Sequence, residues 1–257
     1  TPVGGRNFEC MSEDPLLTGD LAVAYVRGVQ SHGVASCIKH YVGNDTEFER
    51  RSIDSQIDER TLREIYLLPF EKAVVEADVK SVMTAYNRIN GPWAADAEYL
   101  LRDVLRGEWG FTGAVMSDWF GLNSTVEGMN AGLDLEMPGP TIHRGEKLLA
   151  AIRDGAVDAD VLRERAGNVL ALVEVTGALD NPPGPEGTND HVDDVALVRD
   201  AGARSMVLVR NSKRSGSAVL PLEDGVYRRV AVIGPNAAVA RVLGGGSASV
   251  TPTSLSH

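Results

Sequence analysis

Four short apolar runs punctuate the chain: Cys37-Ile38, Ser81-Val82-Met83, Ala114-Val115-Met116 and Leu133-Asp134-Leu135. Most intervals between them carry apolar residues at helical spacing, so the pattern predicts alternating strands and helices. One helix is expected from near Asp58, with Leu62, Ile65, Tyr66 and Phe70 on its inward face. A second is expected from a capping Asp96 through Leu100, Leu101, Val104 and Leu105 to Gly107, a residue suited to a left-handed terminus. Further helices are predicted over Asn123 to Met129, Asp158 to about Thr176, and about Val192 to Arg204.

Each strand candidate runs directly into polar or aromatic residues: Lys39-His40-Tyr41, Thr84-Ala85-Tyr86-Asn87, Ser117-Asp118-Trp119 and Glu136-Met137-Pro138. Polar groups gathered at one end of successive parallel strands describe an active-site rim, as on the C-terminal face of a β/α barrel. Asp118 is the most informative of them. Burying a carboxylate without a partner is costly, so an acidic residue at the end of an apolar strand either does chemistry or caps the helix that follows.

The segment Asp180-Asn181-Pro182-Pro183-Gly184-Pro185-Glu186-Gly187 has little apolar content and reads as a linker. After it the pattern predicts a helix, a strand from Met206 to Arg210 and a strand from Arg229 to Ile233 ending in Gly234-Pro235-Asn236. The expected architecture is therefore α/β. Residues 1–178 read as the C-terminal part of a (β/α)8-type barrel, 179–191 as a linker, and 192–257 as the beginning of a second α/β domain of sandwich type.

Composition narrows the function classes. The chain has 257 residues, of which 43% are hydrophobic, and a formal net charge of −11 with no basic stripe. That argues against a nucleic-acid partner. No run approaches the length of a membrane span, and Cys10 and Cys37 lack metal or disulfide-framework spacing, so both are expected as buried free thiols. No metal or cofactor motif is evident, and the Gly-Pro-Asn turn lacks the spaced glycines of a dinucleotide site. Both ends have the look of cuts from a longer protein.

Several separated motifs agree in order and spacing with one family. Gly5-Arg6-Asn7-Phe8-Glu9 with Ser12-Glu13-Asp14-Pro15, then Lys39-His40-Tyr41-Val42-Gly43-Asn44-Asp45, then Met83-Thr84-Ala85-Tyr86-Asn87, then Ser117-Asp118-Trp119 resemble the barrel motifs of glycoside hydrolase family 3. The resemblance covers about residues 1–178. It implies that Asp118 is a catalytic nucleophile, and that Arg6, Lys39, His40, Arg50 (eleven positions after the Lys) and Tyr86 grip a terminal sugar. A cis Lys39–His40 peptide is implied as well.

The residue types suit these roles. A retaining glycosidase needs an ionised carboxylate facing the anomeric carbon; Lys39 and Arg50 are cations that would keep Asp118 ionised. Lys, Arg and neutral His supply fixed donors to sugar hydroxyls, while Trp119 can offer an apolar face to sugar C–H groups. Plainer explanations exist: Arg50 beside Arg51 as a solvated pair, Tyr86 as an ordinary strand-end tyrosine, Trp119 as core.

The second motif lacks the later His that resembles the N-acetylhexosaminidases of the family, which favours a β-glucosidase. The segments Ala231-Val232-Ile233-Gly234-Pro235-Asn236-Ala237 and Gly244-Gly245-Gly246-Ser247-Ala248 look like the start of the sandwich domain of longer members. The implied activity is release of β-D-glucose from the non-reducing end of β-glucosides. The family's acid/base Glu is expected beyond His257, so residues 1–257 alone are expected to be inactive. Alternatives are a family 3 β-xylosidase or other exo-glycosidase, a Schiff-base aldolase using Lys39, and a non-catalytic sugar-binding module.

Overall fold

The computed structural model describes residues 4–182, 184–185, 191–213, 216 and 218–240. Two compact units divide between Pro183 and Gly184. In the first, strands β1 (Cys37–Tyr41), β2 (Asp54–Ser55), β3 (Ser81–Thr84), β4 (Arg88–Ile89) and β5 (Ala114–Met116) form two parallel sheets, ordered β1-β3-β5 and β2-β4. Ile38 pairs with Val82, and Val82 with Val115. Every residue of β3 is buried, as a central parallel strand covered on both faces should be.

The fourth apolar run behaves differently from the expectation. Leu133-Asp134-Leu135 lies along β5 but forms only a single parallel bridge, between Met116 and Leu135. Asp134 is the reason: its fully buried carboxylate accepts the Val115 N–H at 2.7 Å, a donor that a continuing ladder would use. The same carboxylate accepts from Arg106 Nη2 at 2.7 Å, Arg165 Nη1 at 3.3 Å and Asn168 Nδ2 at 2.9 Å. Burial pushes the Asp134 carboxyl up, while Arg106, Asn168, the Val115 N–H and Arg165 pull it back.

Helices cover this sheet. Asp58 accepts the Thr61 N–H and opens Glu59–Thr61, which continues as Leu62–Leu67 and Leu68–Val75. The middle stretch is a π-helix, whose i→i+5 turns bring positions five apart onto one face. Leu62 and Leu67 are therefore buried and Ile65 is exposed, against the expectation drawn from a 3.6-residue period. Tyr99–Glu108 is also of π type and buries Leu100, Leu101, Val104 and Leu105. Asp96 does not cap it, because its carboxylate accepts from Ser124 Oγ at 2.6 Å; nor does Gly107 end it in the left-handed region, which Gly110 occupies instead, at φ 69°.

The helix expected over Asn123 to Met129 runs from Val126 to Ala131. Ser124 is held out of it by donating to Asp96. The helix expected over Asp158 to about Thr176 is present as Ala159–Val175, and Asp158 caps it. A helix over Pro15–Gln30, opened by Asp14, packs against Leu68–Val75. The sequence pattern concealed it: Val23 and Val26 are buried while Leu16, Leu17, Leu21 and Tyr25 are exposed, so its apolar residues do not form one stripe. Both cysteines are free, but Cys10 is exposed in the loop before this helix and Cys37 is only half-buried, which corrects the expectation of two buried thiols.

The second unit contains the helix Val192–Arg204. Residues 206–210 and 229–233 form no ladder among the described residues, and Val207, Val209 and Ile233 are exposed. A strand is completed by a neighbour's N–H and C=O groups, and among the described residues none pairs with these runs. Asn211 closes a loop by donating to the Leu220 carbonyl at 2.7 Å and accepting from the Leu220 N–H at 3.2 Å. The glycine run Gly244-Gly245-Gly246 lies outside the described residues.

Asp134 ties two helices to β5, so its removal leaves two arginines with lost partners in the interior. Asp134→Ala is expected to destabilise the protein by about 3–5 kcal/mol in urea denaturation, the range for breaking a buried ion pair from one side.

Candidate active site

Parallel strands run in one direction, so the residues at the ends of β1, β3 and β5 arrive at one edge of the sheet. His40 stands in β1, Tyr86 two residues after β3, and Asp118 two residues after β5. The β1–β3 register is irregular between Ile38 and Tyr41, where the Lys39–His40 and Tyr41–Val42 peptides are both cis. Asn87 links the two sheets, donating from Nδ2 to the Val42 carbonyl at 3.2 Å and to Ser55 Oγ at 3.3 Å.

Asp118 is 6% exposed. Its Oδ1 accepts the Trp119 N–H at 2.7 Å, whereas Oδ2 accepts no hydrogen bond among the described residues and lies 3.4 Å from His40 Nε2. The carboxylate does not cap Val126–Ala131. The turn after it is fixed by backbone: Gly121 N–H donates to the Asp118 carbonyl at 2.9 Å, and a Cβ on Gly121 would meet that carbonyl at 3.1 Å. Ser117 is fully buried; its Oγ accepts the Met137 N–H at 2.9 Å.

Burial pushes the His40 imidazole well below its usual range; the Asp118 charge opposes this, and Lys39 and Arg6 reinforce it. His40 is therefore neutral at neutral pH, able to donate and to accept. Lys39 Nζ lies 2.9 Å from Glu9 Oε2, and Arg6 Nε also bonds Glu9. Burial pushes the Glu9 carboxyl up, but hydrogen bonds from Arg6 and Lys39 and their charges outweigh it and hold it at about 2. Glu9 closes the Gly5–Glu9 motif, whose residue types single out Arg6 alone. Its position beside both cations is a tertiary contact that spacing does not disclose.

Tyr86 is buried, and Arg50 and Arg51 each hold their guanidinium carbon 5.0 Å from its ring centroid. Arg50 Nη1 also lies 3.4 Å from Glu47 Oε1, so it is not a merely solvated neighbour of Arg51. Burial and the Asp118 charge push the Tyr86 phenol up, while Arg51 pulls it back. Trp119 is 42% exposed and is not core. The structure thus brings His40, Tyr86 and Asp118 together, with Arg6 close enough for its charge to act on Asp118.

Glu136 is spoken for locally. Its carboxylate accepts the backbone N–H groups of Ile142, His143 and Arg144 at 2.8–3.1 Å, fixing the loop before Glu146–Arg153. Among the described residues no group of three or more His, Cys, Asp or Glu side chains is arranged to hold a metal ion, and no helix is long and apolar enough to cross a membrane.

Residues 1–172 match the sequence profile of the Glycosyl hydrolase family 3 N terminal domain. The chain is 55% identical over 249 residues to a β-glucosidase of Rhizobium radiobacter, covering 96% of this chain and 30% of that protein. It is 49% identical to β-glucosidase B of Emericella nidulans, covering 97% and 29% respectively. Among solved structures, β-glucosidase 3B from Thermotoga neapolitana in complex with glycerol superposes with a TM-score of 0.78 at 41% identity, over 87% of this chain and 31% of that one. The β-glucosidase from Kluyveromyces marxianus in complex with glucose gives 0.75 at 41% identity, over 81% and 26%. The chain spans about 30% of the length of the curated relatives it matches.

The depressed His40 titration has a measurable consequence. As pH falls below the ordinary imidazole value of about 6.5, the unfolded chain binds a proton at this residue before the folded chain does, so stability declines through that window. Urea denaturation between pH 7 and pH 4 should show a steeper loss for the wild type than for His40→Gln. Equal pH slopes would contradict the assigned protonation state.

Proposed function

The chain belongs to glycoside hydrolase family 3, and from that premise we propose that it carries the nucleophile side of a retaining exo-β-glucosidase site, with Asp118 as the nucleophile. The observation that supports this reading is the buried Asp118 carboxylate, one oxygen held by the Trp119 N–H and the other without a hydrogen-bond partner among the described residues, beside neutral His40. An unsatisfied carboxylate oxygen in the interior is costly, and a sugar anomeric carbon approaching it is an electrophile that it can attack.

In the proposed reaction Asp118 Oδ2 forms a bond to the anomeric carbon as the bond to the leaving oxygen breaks. That oxygen takes a proton from an acid not assigned within this chain. Water then releases glucose and restores the carboxylate. Arg6, Lys39, His40, Arg50 and Tyr86 would hold the sugar hydroxyls, and Trp119 would face its C–H surface. The Glu9 carboxylate favours this over a Schiff-base aldolase, because it lies 2.9 Å from Lys39 Nζ, the atom that a Schiff-base lysine must leave clear to meet a carbonyl carbon. In domain terms, we read residues 1–178 as the C-terminal part of a (β/α)8-type barrel, 179–191 as the linker, and 192–257 as the beginning of a sandwich domain. β-Glucosidase names among the relatives favour glucosides over xylosides.

Two measurements in the full-length protein test the reading. A 2-deoxy-2-fluoro-glucoside should label Asp118, and Asp118→Asn should lose several orders of magnitude in kcat, as removal of a covalent nucleophile does. Label on a different carboxylate, or an active Asp118→Asn, would refute the nucleophile; glucose binding without any turnover would favour a sugar-binding module. Lys39→Ala should lower kcat/KM for β-glucosides by about 10- to 100-fold if its ammonium holds a hydroxyl in a desolvated site.

A further inference from the structure

Glu9 holds no sugar in the scheme above, yet two of the residues that do so meet on its carboxylate. Arg6 and Glu9 stand at the two ends of a 3-10 turn, closed by the Glu9 N–H donating to the Arg6 carbonyl at 2.9 Å. Side chains at i and i+3 of such a turn eclipse, so Arg6 Nε donates to Glu9 Oε1 within the turn. The second oxygen, Oε2, lies 2.9 Å from Nζ of Lys39, a residue of β1. Lys39 has need of such a partner. Its side chain is 40% exposed, and a long flexible stem in solvent loses rotamer freedom whenever its ammonium is fixed on a ligand.

We infer that Glu9 is a positioning residue that holds the Lys39 ammonium in place for the sugar, with Arg6 as its anchor. The inference rests on Lys39 binding the terminal sugar. An ammonium carries three N–H donors and no acceptor, so one donor given to Glu9 leaves two for sugar hydroxyls. Arg6 bonds Glu9 through Nε and keeps the N–H groups of both terminal nitrogens. Positioning and sugar binding therefore draw on different protons of the same side chains. A carboxylate suits the bridge because it offers an acceptor oxygen to each cation. The amide of a Gln has one acceptor and one donor, and would turn its NH2 toward one of the two. The Glu9 carboxyl, held at about 2, keeps both oxygens as acceptors from mildly acidic pH upward. Without the bridge, Lys39 is released into solvent and must be ordered again each time a sugar binds.

Hydrolysis of 4-nitrophenyl β-glucoside by the full-length protein tests this in a double-mutant cycle. Glu9→Gln keeps the size and shape of the side chain and should lower kcat/KM about tenfold, the scale of one lost charge-assisted hydrogen bond. In a Lys39→Met background, which has no ammonium to hold, the same substitution should lower kcat/KM by less than about threefold, the remainder passing through Arg6. Any loss of folded protein acts alike in both backgrounds, so a merely structural role predicts equal falls. Equal falls, or a wild-type kcat/KM in Glu9→Gln, would overturn the role of Glu9 while leaving Lys39 as a sugar ligand. A wild-type kcat/KM in Lys39→Met would overturn sugar binding by Lys39 and this inference together.

Discussion

Parallel pairing of β1, β3 and β5 is the constraint from which the rest of the site follows. Because the three strands share a direction and a register, with Val82 opposite both Ile38 and Val115, whatever follows each strand is delivered to the same edge. His40, Tyr86 and Asp118 are far apart in sequence and become neighbours through this geometry alone. An antiparallel neighbour would have carried one of them to the opposite edge.

The edge is electrostatically graded. Asp118 is buried; Arg6 interacts with it through charge, Lys39 is paired with Glu9, and Arg51 stands over the Tyr86 ring. Glu9 neutralises part of the positive charge that would otherwise bear on His40, which burial already holds neutral. The neutral imidazole adds no positive charge of its own beside the Asp118 carboxylate. A second buried ionic cluster lies behind the sheet edge. Arg106, Arg165 and Asp134 lock β5, the strand that leads to Asp118, to two helices.

Local geometry decided several elements that periodicity misjudged. The helical stretch Leu62–Leu67 widens to a π-helix, so Leu67 takes the buried position that a regular period assigns to Ile65. Asp96 has the residue type of a helix cap but bonds Ser124, a residue 28 positions away. The helix Pro15–Gln30 eluded the pattern because its apolar side chains point several ways. In each case a side chain answers to a partner that is distant in sequence, and propensity contains no information about such partners.

The sequence by itself determined the alternation of strands and helices, the polar residues that end each strand, and the motifs that identify the family, because these depend on residue types at short spacing. Ser117-Asp118-Trp119 was legible for that reason. Only the tertiary structure decided that Asp118 Oδ2 accepts no hydrogen bond among the described residues, that Glu9 ties Lys39 to Arg6, that Asp134 interrupts the ladder of the fourth run, and that Arg51 stands over Tyr86. These are contacts between segments whose separation along the chain is closed by the sheet, and no local pattern records which of several available cations or carboxylates will meet once it has closed.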